Sequence, residues 1–149
     1  MRAVVQRVKK SSVTVDGKVT GSIDKGLMVL IGVKKGDTEK DAEYIAHKVA
    51  SLRVFDDENG VMNVNIKDAG GDILAVSQFT LLGDVRKGNR PSYFDAASPE
   101  EANALYRTVI ELLQKKGLRV EEGIFQTEML VDIANDGPVT ILLDSEKLF

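Results

Sequence analysis

A chain of 149 residues with 43% hydrophobic and 29% charged content has the size and composition of one soluble globular domain. It carries no cysteine, which excludes disulfides, thiolate catalysis and cysteine-based metal sites, and its net charge of −3 leaves no global basic footprint for nucleic acid. No apolar run approaches the length of a membrane-spanning helix, and the opening MRAVVQRVKKSSVTV lacks a signal peptide's unbroken apolar core, so a cytoplasmic location is expected.

Residues 1–149 read as a single domain, without repeats, low-complexity tracts or linkers. The first third predicts a β-meander. RAVVQRV, SVTV, KVTGSI and GLMVLIGV are separated by turn signals at Asp16-Gly17 and Asp24-Lys25-Gly26. The period then changes, because Ala42, Ile45, Ala46, Val49 and Leu52 recur at helical spacing behind Thr38, a suitable N-cap. FDDENGVMNVNI returns to strand-like residues around the tight-turn signal Asn59-Gly60, and DILAVSQFTLL begins as a nearly continuous apolar strand. Ser98-Pro99-Glu100-Glu101 opens a second helix with an N-cap, a proline at the first position and a capping-box acid. Its apolar stripe is Ala102, Leu105, Val109, Leu112 and Leu113, and Lys115-Lys116-Gly117 suits its end. LRVEEGIF, EMLVDIA and PVTILLD close the chain as strands. The sum is an α+β fold of mainly antiparallel sheet, in layers or a barrel-like roll, with two main helices.

Most catalytic constellations fail. His47, the only histidine, lies inside the first predicted helix and reads as a surface or half-buried side chain rather than a general base. The acidic clusters Asp56-Asp57-Glu58 and Glu121-Glu122 read as solvated turns, and neither GxGxxG nor GK[ST] is present. No metal site and no cofactor are expected.

Three stretches remain, each with an ordinary reading beside a functional one. In SQFTLL, the side chains of Ser77, Gln78 and Thr80 and the intervening backbone N–H groups could hold a carbonyl or its oxyanion, or could be a polar strand end. In GDVRKGNRPSYF, Arg86, Lys87 and Arg90 followed by Tyr93 and Phe94 could grip phosphates and stack bases, or form a charged loop. In IANDGPVTILL, Gly137-Pro138 interrupts a good strand. Proline lacks the ladder N–H, so an edge or a turn is the plain reading, and only about one X-Pro bond in twenty is cis.

Together, SQFTL at 77–81, RKGNRPSYF at 86–94 and NDGPVT at 135–140 resemble, in order and spacing, the D-aminoacyl-tRNA deacylases, once called D-tyrosyl-tRNA deacylases. The opening MRAVVQRVKKSSVTVDG, the MNVNIKDAGGDILAVSQFTL block and the capped second helix extend the resemblance over nearly the whole chain. The resemblance implies a homodimer with active sites at the subunit interface. Ser77, Gln78, Phe79 and Thr80 would form one wall, and Gly137 and Pro138, joined by a cis bond, would enter the partner's pocket as a chirality gate. Arg7 would brace that loop, and Phe125 and Met129 would meet the terminal adenosine. The 3′ acceptor end of aminoacyl-tRNA is single-stranded, so the local basic loop of Arg86, Lys87 and Arg90 could receive it despite the acidic total charge. One departure stands out: Phe125-Gln126-Thr127 replaces the Phe-Gly-Ala of many members.

The implied reaction is hydrolysis of the ester joining a D-amino acid, and also glycine, to tRNA, a proofreading step in translation. Two mechanisms are open: Thr80 as nucleophile, or a water assisted by the ribose 2′-hydroxyl, the second preferred because no base for Thr80 is evident. The rivals are a non-catalytic dimeric RNA-binding module and a hydrolase of small D-amino acid esters that does not need tRNA.

Overall fold

Strand β1, Arg2–Val15, organises the sheet of this computed structural model, which describes residues 1–149. It reverses at Asp16 and Gly17, whose φ angles of 49° and 76° are those a two-residue hairpin demands, into β2, Lys18–Ile23. Val15 then faces Lys18 across the turn.

The next signal does not reverse the chain. β2 pairs antiparallel with residues 11–15 of β1, and β3, Gly26–Gly32, pairs antiparallel with residues 2–8. β8, Leu130–Asp144, pairs with both of those stretches and therefore fills the opposite side of β1. So β2 and β3 lie along the same side and run on in one direction past a kink at Asp24-Lys25. The expected meander is one long bent hairpin. The two closing segments expected around Gly137-Pro138 are likewise one strand, β8, with a bulge inside it.

After β3 come α1, Glu39–Ser51, the small hairpin β4, Phe55–Asp56, with β5, Met62–Val64, and then β6, Asp72–Ser77. β6 returns parallel to β3. A short 3-10 helix, Phe79–Leu82, and α2, Pro99–Lys115, lead to β7, Val120–Glu122, parallel to β6. The antiparallel pairs dominate, as the α+β reading requires, and the two parallel pairs are the crossovers that put both helices on one face.

The sheet curls almost closed. A Cβ on Gly21 of β2 would come 2.5 Å from the Glu122 carbonyl oxygen of β7, so glycine alone permits that approach. Adjacent residues of the inner strands point to two different cores. Leu27, Val29, Ile31, Ile73 and Ala75 pack against the helices, while Met28, Leu74 and Val76 join Val8, Val13 and Ile23 on the other face. This is why GLMVLIGV and DILAV are apolar without alternation.

Both helices begin in capping boxes, Thr38 with Asp41 and Ser98 with Glu101. α1 buries Ala42, Ile45, Ala46 and Val49 as its spacing predicts, while Leu52 lies just past its end as the C-cap. In α2 the stripe is rotated. Tyr106 and Ile110 are buried with Ala102, Val109 and Leu113, whereas Leu105 and Leu112 are only partly covered. Tyr106 reaches the core because its hydroxyl donates to the Ala75 carbonyl at 2.9 Å, and burial raises its pKa. No helix is long and apolar enough to cross a membrane.

Gly26 is the tightest point of the fold. A Cβ there would lie 1.8 Å from the backbone oxygen of Asp72, its partner in the β3–β6 pair. Neither main chain can yield without losing the ladder that delivers Ser77 and Gln78. Gly26→Ala should therefore cost about 3 kcal/mol or more, well above an ordinary glycine substitution. Chemical denaturation checks this; a loss under about 1 kcal/mol would show that the pair can spread.

Candidate active site

The parallel ladder ends by presenting SQFT. Gln78 N–H donates to the Ile31 carbonyl at 2.7 Å, one step beyond the last register pair, and the chain then tightens into the 3-10 helix. The helix lies over Gly32, where a Cβ would meet Leu82 Cδ2 at 2.7 Å and the Gln78 carbonyl at 2.9 Å. Arg2 holds it from the side, donating to the Leu81 carbonyl and, at 3.1 Å, to Asp144 of β8. The N–H groups opening this helix, at Phe79 and Thr80, have no acceptor within it.

Beside this segment is a cleft of about 590 Å³. Val76, Ser77, Gln78 and Phe79 form one wall, Phe125, Gln126, Thr127 and Met129 another, and Pro99 and Ala102 bring in the start of α2. Phe125 is steadied by Tyr106, 6.2 Å between ring centroids. Met129 occupies the space left by Gly123, whose missing Cβ would touch its sulfur at 2.5 Å. Thr127 Oγ1 donates to the Ile124 carbonyl at 2.8 Å and closes the turn. Gln126 sits within it at φ 59°, the left-handed region that a glycine enters without penalty.

The hydroxyl of Thr80 does not line the cleft. It accepts a hydrogen bond from the Gln78 side-chain amide, and no carboxylate or imidazole bonds to it. His47 is exposed on α1, away from the cleft, as the sequence suggests. No group of three His, Cys, Asp or Glu side chains is placed to hold a metal ion.

Arg7, Gly137 and Pro138 form a second constellation, which one chain does not bring to the cleft. Gln6 pairs with Thr140 and Val8 with Asn135, so Asp136 to Val139 all bulge opposite the single residue Arg7. The Gly137–Pro138 bond is cis, the isomer implied by the resemblance, and both residues are exposed. Arg7, its side chain only 11% exposed, donates to the Asp136 carbonyl at 3.2 Å and to the Val54 carbonyl at 2.7 Å. Gly137 has φ 124°, and a Cβ there would stand 3.0 Å from Arg7 Nη2, so a larger residue would disturb the brace.

Asn135 completes the arrangement and was not singled out by sequence. Its amide donates to the Arg7 carbonyl at 2.9 Å and to the Val139 carbonyl at 3.1 Å, tying both sides of the bulge. The only local signal was its place at the head of NDGPVT; its partner lies 128 residues away.

The basic loop is separate again. Asp84 and Ser92 bond across its neck at 2.8 and 2.9 Å. Arg86 is engaged by Asp84 through Nε at 2.9 Å and Nη2 at 2.7 Å, which holds that carboxyl far below the usual carboxylate range and raises the guanidinium's own pKa. Lys87 and Arg90 make no ion pair. Of the three cations proposed for tRNA, these two are free.

Comparison with known proteins fits this architecture. The sequence profile described as D-Tyr-tRNA(Tyr) deacylase matches residues 4–144. Proteins named D-aminoacyl-tRNA deacylase from Anaeromyxobacter dehalogenans (strain 2CP-C) and Thermotoga petrophila are 58% and 56% identical over the full length of both chains. The solved structure titled c-Myc DNA Unwinding Element Binding Protein superposes with a TM-score of 0.91 at 43% identity, covering 97% of this chain and 98% of that one. A probable eukaryotic D-amino acid tRNA deacylase gives 0.79 at 17% identity, covering 95% of this chain and 97% of that one, which supports the fold alone. The fold is an α+β roll, and the family model and full-length relatives it matches are deacylases, enzymes of the hydrolase class. Within that class, the chain belongs to the D-Tyr-tRNA(Tyr) deacylase family.

Asn135→Ala should lower the unfolding free energy by about 1–2 kcal/mol, the cost of leaving two partly covered carbonyls without their donor. Urea denaturation reads this directly. A change below about 0.5 kcal/mol would mean that water replaces the amide and the bulge stands without it.

Proposed function

We propose that this chain hydrolyses the ester of D-aminoacyl-tRNA, and of mischarged glycyl-tRNA, releasing the free amino acid and tRNA. The observation that carries the reading is the cleft in which the Ser77–Phe79 wall faces Phe125 and Met129. The aromatic and thioether side chains suit the terminal adenine, and the polar strand end suits the ester carbonyl beside it. No cofactor is invoked. An aminoacyl ester is already activated, so orientation and carbonyl polarisation supply much of the required rate.

Water adds to the carbonyl carbon, the ester C–O bond breaks, and the 3′ oxygen leaves with a proton. The ribose 2′-hydroxyl assists the water, while the Phe79 backbone and the Gln78 amide hold the carbonyl. The Thr80 hydroxyl, accepting from Gln78 and lacking a base, supports this route over direct attack.

The enzyme acts in the cytoplasm as a homodimer, with Gly137 and Pro138 of one subunit completing the partner's cleft. Two features favour this. The Gly137 bulge is exposed and braced by Arg7, yet within one chain it does not line the cleft. β8 is also an uncovered edge strand bearing Leu130, Ile133 and Leu142, 65%, 38% and 55% exposed. A rigid backbone wall separates D from L substrates by collision with the L side chain, which attraction alone cannot do. Glycine has no side chain to collide, so it passes.

The fold relative named for DNA binding keeps a second reading in view, a nucleic-acid-binding module without catalysis. Matched D- and L-aminoacyl-tRNA separate the two. The proposal expects hydrolysis of the D-ester only; hydrolysis of neither leaves the binding module. Thr80→Ala should keep activity within about tenfold, while tRNA ending in 2′-deoxyadenosine should fall by about 10²-fold or more, the scale of a lost acid–base group. Full activity on the deoxy substrate would overturn the assisted mechanism.

A further inference from the structure

Next to the cleft is an aromatic surface that the reaction itself does not use. Phe79, which lines the cleft, is 54% exposed and meets Tyr93 edge to face, with ring centroids 5.1 Å apart. Tyr93 is 40% exposed, and its neighbour Phe94 is 77% exposed. Lys35 Nζ stands 3.9 Å over the Phe94 ring. These rings are held on ordered backbone. Lys35 N–H donates to the Asp95 carbonyl at 2.9 Å, Ala96 N–H to the Tyr93 carbonyl at 3.0 Å, and Ala97 N–H to the Val33 carbonyl at 3.0 Å. The platform is therefore built before any ligand arrives.

The charges around it select the ligand. Lys87 and Arg90 sit on the same loop without ion-pair partners, and Lys35 has only the ring, in a chain whose net charge is −3. A cation over one exposed ring, with two more free cations on the loop that leads into both rings, fits single-stranded nucleic acid, whose bases stack while its phosphates meet the cations. An apolar protein partner would leave those cations buried and unpaired.

We propose that Tyr93 and Phe94 are a stacking surface for the unpaired nucleotides immediately preceding the terminal adenosine, with Lys35, Lys87 and Arg90 on their phosphates. This rests on the reading of the cleft as the aminoacyl-adenosine site, because Phe79 joins the two. It gives the chain a sequence-tolerant grip on the acceptor end, independent of the ester.

The test uses the RNA tetranucleotide 5′-ACCA with 2-aminopurine in place of the penultimate base, and two substrates, D-aminoacyl-tRNA and D-aminoacyl-adenosine. Stacking quenches the 2-aminopurine. Wild type and Phe94→Tyr should quench it; Phe94→Ala should bind roughly tenfold more weakly and lose the quench, the scale of one lost base–aromatic stack. The same variant should lose roughly tenfold in kcat/KM on the tRNA substrate and much less on the nucleoside. Equal losses on both substrates would overturn the proposal, as would unchanged tRNA kinetics. A change of oligomeric state in Phe94→Ala with quenching intact would also overturn it, making the surface a protein interface. If wild type hydrolyses neither substrate, the cleft reading fails, and the quench alone still decides whether the platform stacks bases.

Discussion

Everything in this fold leans on β1. It carries β2 and β3 along one side and β8 along the other, so its register sets where each of them falls. The widest break in that ladder is at Arg7. There a single β1 residue faces the four residues from Asp136 to Val139, and its guanidinium holds the bulge by the Asp136 carbonyl while anchoring itself on Val54. A bulge of this size in an edge strand would otherwise be mobile. Held from one side by Arg7 and tied across by Asn135, it becomes a fixed projection of backbone.

The second constraint runs through glycines. Gly26 lets β3 meet β6, Gly32 lets the 3-10 helix fold over the strand end, and Gly123 makes room for Met129. Gly26 and Gly32 trade a side chain for a close backbone approach and Gly123 yields its space to the Met129 side chain, and together they set the positions of Ser77, Gln78, Phe79 and Met129. The chain thus carries a finished cleft and a finished projection on separate surfaces. The proposed dimer is what would unite them.

How much of this could be read in advance follows the range of each interaction. The two helices were legible with their caps, because capping boxes and apolar stripes are local. The rotation of the α2 stripe was not, since Tyr106 is buried by a hydrogen bond to Ala75, 31 residues back. Asp24-Lys25-Gly26 looks the same in sequence whether it turns the chain or kinks it; only pairing with β1 decides. Pro138 argued against a continuous strand, and the bulge that admits it depends on Arg7, 129 residues from Asp136. SQFT and the Gly-Pro step were noticed for their residues, but only the family resemblance favoured their functional readings. Gln126 departs from the pattern the resemblance implies, and its φ of 59° lies in the left-handed region that a glycine enters without penalty.

The central claim is that the chirality wall of one subunit serves the cleft of the other. The direct measurement is the D- to L-ester rate ratio of a purified hybrid dimer. One subunit carries Gln78→Ala with Phe125→Ala and has a disabled cleft; the other carries Gly137→Val and has a disabled wall. In the hybrid, the intact cleft would be served by the intact wall of its partner. The account predicts hydrolysis of D-aminoacyl-tRNA with rejection of the L-ester restored, at about half the wild-type rate for one working site of two. A hybrid no more selective than the Gly137→Val homodimer would contradict it, because the wall would then serve only its own chain.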